Sequence, residues 1–215
     1  MKNLFSPDSK IMQTLMFITD VVFLNFLFVL CSLPLITIGA AQCGLHTGVR
    51  ALLAKESMHS PTKAFFKGFC TNLGQITGVF CAVAAVIGLL VYCAVAIWLM
   101  NGGRITIVLA VALLALCLSM MYQCMLSLIH SRFQCSLSQL LRNSALIMFS
   151  RPIHSLIQAG LFVLPLGVAL LDMEAFVRYG AGWITVYYAA AAVGCYFLFK
   201  KTFEELTVNI VSEAQ

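Results

Sequence analysis

Long apolar runs without a single charge alternate with short polar breaks along this chain. No Lys, Arg, Asp or Glu occurs in 21–49, 68–103, 105–131, 152–171 or 179–199. A helix crosses a hydrocarbon core of about 30 Å with about 20 residues, so each gap holds one span. The breaks set the helix ends. Pro34 stops the first helix, 11–33, because proline has no N–H to extend the ladder. Asn101-Gly102-Gly103-Arg104 makes a tight turn between 73–99 and 105–130. Pro152 opens 153–171 at a first-turn position, and Lys200-Lys201 closes 180–199. The expected fold is all-α, a polytopic transmembrane bundle of helical hairpins forming one domain over 1–215.

A sixth segment, 35–54, is long enough to cross but contains Gln42, His46 and Arg50. Its Gly44 and Gly48 form a GxxxG, the spacing that lets helix backbones approach closely in lipid, and Gly74 and Gly78 repeat it in the next span. Charge asymmetry favours counting 35–54, for six spans with five as the alternative. From residue 55 onward one side carries Lys55, Lys63, Lys67, Arg132, Arg142, Arg151, Lys200 and Lys201, and the other only Arg104 and Arg178. Positive charge marks the cytoplasmic side, which puts the C-terminus there. With six spans Lys2 and Lys10 join the same side, and the N-terminus is cytoplasmic too. Trp98 and Trp183 then fall at the outer interface, where indoles prefer to sit. The run Val21–Ala41 exceeds the 7–15 residues of a signal-peptide core, so an uncleaved first span is expected.

Two connectors read as cytoplasmic interfacial helices. In the first, Ser60 caps and Pro61 begins a helix that gathers Phe65, Phe66, Phe69 and Leu73 on one face and Lys63 and Lys67 on another. The second, Ser136–Phe149, groups Leu137, Leu140, Leu141, Ala145 and Met148 and carries Arg142. Such helices lie in the headgroup plane with their basic residues near anionic lipid.

Composition narrows the chemistry. Hydrophobic residues make up 61% of the 215 and charged ones 10%, against about 25% charged in soluble domains, so lipid is the main solvent. The net charge of +5 is spread between apolar runs rather than along a basic stripe, which argues against nucleic acid as a partner. The nine cysteines include no CxxC and act as small hydrophobes. No GxSxG, HExxH or phosphate-binding loop is present, so no enzymatic activity, cofactor or metal is expected.

Polar residues at membrane depth are costly and therefore informative. They are Asp20 and Asn25 in the first span, Gln42, His46 and Arg50 in the second, and Gln123 in the fourth. Helix–helix hydrogen bonding, worth about 0.6–2 kcal/mol per bond, is the favoured reading over a solute path. Asp20 lies 14 residues before Pro34 and Arg50 lies 16 after it. In a hairpin turning at Pro34 they stand about 21 and 24 Å from the turn, nearly level, so an Asp20–Arg50 ion pair, or both groups converging on one small polar cavity, is expected.

The stretch Asp20-Val21-Val22-Phe23-Leu24-Asn25-Phe26-Leu27, followed by Leu33-Pro34 and Thr37-Ile38-Gly39-Ala40, resembles the opening of the YesL family of bacterial integral membrane proteins. Phe65-Phe66-Lys67-Gly68-Phe69 and the hairpin layout also fit. The resemblance implies a role near carbohydrate uptake by ABC transporters and brings no catalytic residues. The leading expectation is an accessory or regulatory membrane protein whose partners are the bilayer and ABC-transporter subunits or a membrane sensor. The alternative is a small homo-oligomeric transporter or channel.

Overall fold

The computed structural model describes residues 9–54, 60–102, 107–133 and 136–213, with side chains through residue 205; Lys2, Lys55 and Arg104 lie outside these. Every described element is helical. The first helix, α1 (Lys10–Ser32), is capped by Ser9, whose hydroxyl accepts from the Met12 N–H. A 3₁₀ turn, Leu35–Thr37, follows Pro34 and leads into α2 (Ile38–Leu53). Next come α3 (Pro61–Met100) and α4 (Ile107–His130). α5 (Leu137–Ser150) starts with a reciprocal capping box between Ser136 and Gln139. α6 is Pro152–Leu171, and α7 (Met173–Arg178) is a short exposed turn capped by Asp172. The chain ends in α8 (Gly180–Gly182), a π-helical turn (Trp183–Tyr187) and α9 (Tyr188–Glu213), which continue one another.

Five helices are long and apolar enough to cross a bilayer: α1, α3, α4, α6 and Gly180–Glu205. The protein is a multi-pass membrane protein. The most apolar of the five, α3, is also the least covered by protein, with Val86, Leu89 and Tyr92 all more than half exposed. Apolar surface on that scale is stable only against lipid.

The sixth expected span is not a helix of this kind. α2 has 16 residues, about 24 Å, and eleven of its residues are buried, Gln42 and His46 among them. Its polar content is tolerated because α1, α3, α4 and α9, not lipid, surround it. It runs antiparallel to both chain neighbours. Leu24 of α1 touches Gly48, while Gly39 faces Ile76 and Phe80, and Gly44 faces Phe65 and Phe69.

The expected interfacial helix before the third span is not separate either. Residues 61–100 form one 40-residue helix, about 60 Å long, because no proline or turn interrupts 62–100. Its first turns pack into α2 rather than lying in a headgroup plane: Phe65 is fully buried and Phe66 stays exposed. α5 lies against the α3–α4 hairpin. Tyr122 donates its hydroxyl to the Leu141 carbonyl at 3.1 Å, and Leu140 and Met148 are buried as expected, whereas Leu137 is exposed.

The two glycine pairs behave differently. A Cβ on Gly44 would meet the Phe65 carbonyl oxygen at 3.0 Å, and one on Gly48 would meet Leu24 at 2.7 Å. Across the interface from Gly44 lies Gly68, where a Cβ would lie 2.6 Å from Thr47 Oγ1 and 3.2 Å from the Gly44 Cα. Gly74 and Gly78 face open space, with nothing within 4 Å, so they pack against none of the described helices. Gly68→Ala should therefore force α2 and α3 apart at about 1–3 kcal/mol and lower the thermal midpoint in detergent by several degrees. Gly74→Ala and Gly78→Ala should lower it not at all. Equal melting of all three variants would contradict this packing.

Candidate functional site

Backbone groups left unpaired in a bilayer cost several kcal/mol each, and two elements here disturb the α-ladder. One is the π turn, whose wider coil offsets the pairing of the residues around it. Asn25 of α1, fully buried, meets it. Its Nδ2 donates to the carbonyls of Trp183 and Ile184 at 3.1 and 2.6 Å, and its Oδ1 accepts from the Ala189 N–H at 2.9 Å. The other is Pro165 inside α6, which has no N–H for the Leu161 carbonyl one turn earlier. Tyr187, from the π turn, donates its hydroxyl to that oxygen at 2.7 Å. The last helix is thereby tied to both α1 and α6.

Further polar side chains link α2, α4 and α6. Gln42 hydrogen-bonds the Cys124 thiol, Cys43 Sγ donates to the Ser127 carbonyl at 3.4 Å, and Gln158 Nε2 donates to the Cys124 carbonyl at 3.0 Å. His46 places its ring 5.6 Å from Phe162. His46 Nε2, Gln123 Oε1 and Gln158 Oε1 are buried with no hydrogen-bond partner among the described residues. Gln158 is absent from the polar set read from the sequence, although it interrupts an apolar run just as Gln123 does.

Arg50 points elsewhere than expected. Leu24 packs on Gly48, so Asp20, four residues earlier, stands about level with Leu52 and close to the height of Arg50. The heights agree, but the two side chains form no ion pair. Arg50 instead lines a cavity of about 210 Å³, far above the roughly 10–15 Å³ one water needs. Thr47, Arg50 and Ala51 of α2 form one wall, and Lys67, Thr71 and Asn72 of α3 another. His130, Ser131 and Arg132, at the end of α4, close it.

Among the described residues no acid lines this cavity, and Arg50, Lys67 and Arg132 form no ion pair. The Arg132 guanidinium lies over the rings of Phe203 and Tyr196, at 4.3 and 5.1 Å from their centroids. Burial first, and the Arg50 charge second, pull Arg132 down to about 10, against the opposing influence of Tyr196 and Glu204. It is still charged at neutral pH. The same end of the bundle carries the Arg151–Glu205 and Lys200–Glu204 pairs, at 3.3 and 3.9 Å. Lys63 and Arg142 are exposed and do not line the cavity. At the opposite end Glu174 and Arg178 pair in solvent.

Residues 21–94 match a family model described as a protein of unknown function, DUF624. No curated protein and no solved structure matches the chain. The DUF624 segment comprises Asn25, the α2 wall and the α3 wall, so it holds two of the three cavity cations; Arg132 and His130 come from the sequence after it.

Asn25→Leu should be among the most damaging conservative-volume changes in the protein. It strands two carbonyls and one N–H of the last helix in an apolar setting, at about 1–3 kcal/mol per group. Membrane expression and thermal midpoint should both fall sharply, and Asn25→Asp should be only partly tolerated, since it retains the acceptor for Ala189 and loses both donors. A normal midpoint for Asn25→Leu would show that the π turn does not need α1.

Proposed function

We propose that this protein is a non-enzymatic accessory or regulatory component of the cell membrane that acts beside a carbohydrate ABC importer or a membrane sensor. The observation that carries this reading is the use of its intramembrane polar groups. Asn25, Gln42, Gln158 and Tyr187 each bond a neighbouring helix, which supports a static scaffold more than a conduit. The YesL resemblance of residues 20–40 supplies the link to sugar uptake; the DUF624 match, residues 21–94, overlaps that stretch and names no function. In this reading the end that carries Lys67, Arg132, Arg151, Lys200 and Lys201 faces the cytoplasm by the positive-inside rule, and the basic cavity opens on that side. Affinity purification of the tagged protein from its native membrane should bring down permease, ATPase or sensor subunits. Repeated recovery of the protein alone would refute the assignment.

A second reading, a small homo-oligomeric transporter or channel, draws on the unpartnered His46 Nε2, Gln123 Oε1 and Gln158 Oε1 inside the bundle. Buried acceptors of this kind are suited to water or a solute. Purified protein in liposomes should then carry a labelled sugar or an ion above the empty-vesicle rate. Absence of flux across a broad solute panel rejects it.

A further inference from the structure

We propose that the basic cavity is a binding site for a phosphate monoester dianion, carried either by a soluble molecule or by a lipid headgroup. Arg50, Lys67 and Arg132 reach it from three separate segments of chain. Arg50 and Arg132 are half-buried and Lys67 is exposed, and among the described residues no acid lines the cavity, so a bound anion would relieve the repulsion among these like charges. Arg50 lies in the last turn of α2 and Arg132 just beyond α4, where the helix macrodipole favours a cation. That accounts for each arginine singly. It does not account for Lys67, which stands two turns into α3 and lines the same space.

The supporting groups fit the same ligand. Stacking of the Arg132 guanidinium on Phe203 occupies its face, and the in-plane N–H edge of a guanidinium matches a pair of phosphate oxygens. Thr71 and Asn72 add uncharged polar atoms, and His130 Nδ1 is buried with no hydrogen-bond partner among the described residues. Three cations against a monoester dianion leave one positive charge, whereas a diester would leave two. The charge balance therefore favours the monoester. A soluble phosphate and the headgroup of phosphatidic acid share this chemistry. The inference is independent of the accessory role above, because binding can be measured on the isolated protein.

The test uses the full chain, purified in neutral detergent and stripped of native lipid. In one arm inorganic phosphate is titrated at constant ionic strength set by sodium chloride, with heat of binding and thermal midpoint as readouts. In the other arm the midpoint is compared in micelles doped with phosphatidic acid and with phosphatidylcholine. Phosphate should bind saturably and raise the midpoint if the source is soluble; a rise with phosphatidic acid alone assigns the lipid. Arg50→Gln, Lys67→Gln and Arg132→Gln should each weaken binding of the active probe at least about tenfold. Without ligand Lys67→Gln should melt no lower than the parent, because Lys67 is exposed and has no ion pair among the described residues, whereas Arg132→Gln also loses its stacking on Phe203 and Tyr196. Arg178→Gln, at the opposite end, should bind normally. No response to either probe overturns the proposal, as does a response that all three variants retain. If a variant fails to fold, the parent titration decides the matter: a shift no greater than that produced by chloride overturns it.

Discussion

The contact between Asn25 and the π turn is the constraint on which the arrangement of the other helices rests. In water a widened helical turn can leave its loose carbonyls to solvent. In a bilayer it needs a donor from the protein, and here one amide side chain satisfies two carbonyls and one N–H together. Because hydrogen bonds tolerate little displacement, this fixes both the height and the rotation of α1 against the last helix. Tyr187 extends the lock to α6 through the carbonyl that Pro165 leaves unpaired. Once α1 is placed, the Leu24–Gly48 contact places α2, and the mutual approach of Gly44 and Gly68 places α3.

This sequence of contacts explains why the most polar membrane-depth segment lies innermost. α2 is short and carries Gln42, His46 and Arg50, which lipid would not accept. Small residues let its neighbours close around it, so the polar side chains meet helix backbone and other side chains instead. Two apolar clusters pack on either side, one centred on Leu24, Leu45 and Phe65 and the other on Met125, Leu128 and Phe199; Phe162 touches both. α3 does the opposite. It offers α2 its N-terminal half, from Pro61 to Phe80, and exposes much of the rest, a division of labour within one continuous helix.

The cavity follows from the same placement. α2 ends where α3 begins and where α4 ends, and all three bring a basic residue to that point. The glycine contacts that seat α2 on α3 adjoin the cavity, with Gly68 and Thr47 shared between packing interface and lining. Its electrostatics are thus coupled to the tightness of one helix pair. A change in α2–α3 spacing would alter the distances among three like charges.

Much of this was legible in the residues alone. Charge-free runs, Pro34, the Ser60-Pro61 and Ser136 starts and Pro152 located the helices, because desolvation and backbone hydrogen bonding act locally and leave marks at fixed spacings. Membrane-depth polar residues flagged Asn25 and Gln42 as helix-bonding groups by the same logic. Even the matched heights of Asp20 and Arg50 came from helical rise. What only the tertiary structure decided is which way side chains face. Rise per residue gives one coordinate, and rotation about the axis is set by packing against helices distant in the chain. That is why Arg50 lines a cavity with Lys67 and Arg132 rather than pairing with Asp20, why Gly44 and Gly48 are packed while Gly74 and Gly78 stand open, and why a basic cavity forms from charges that, along the chain, belonged to a span, an interfacial helix and a loop.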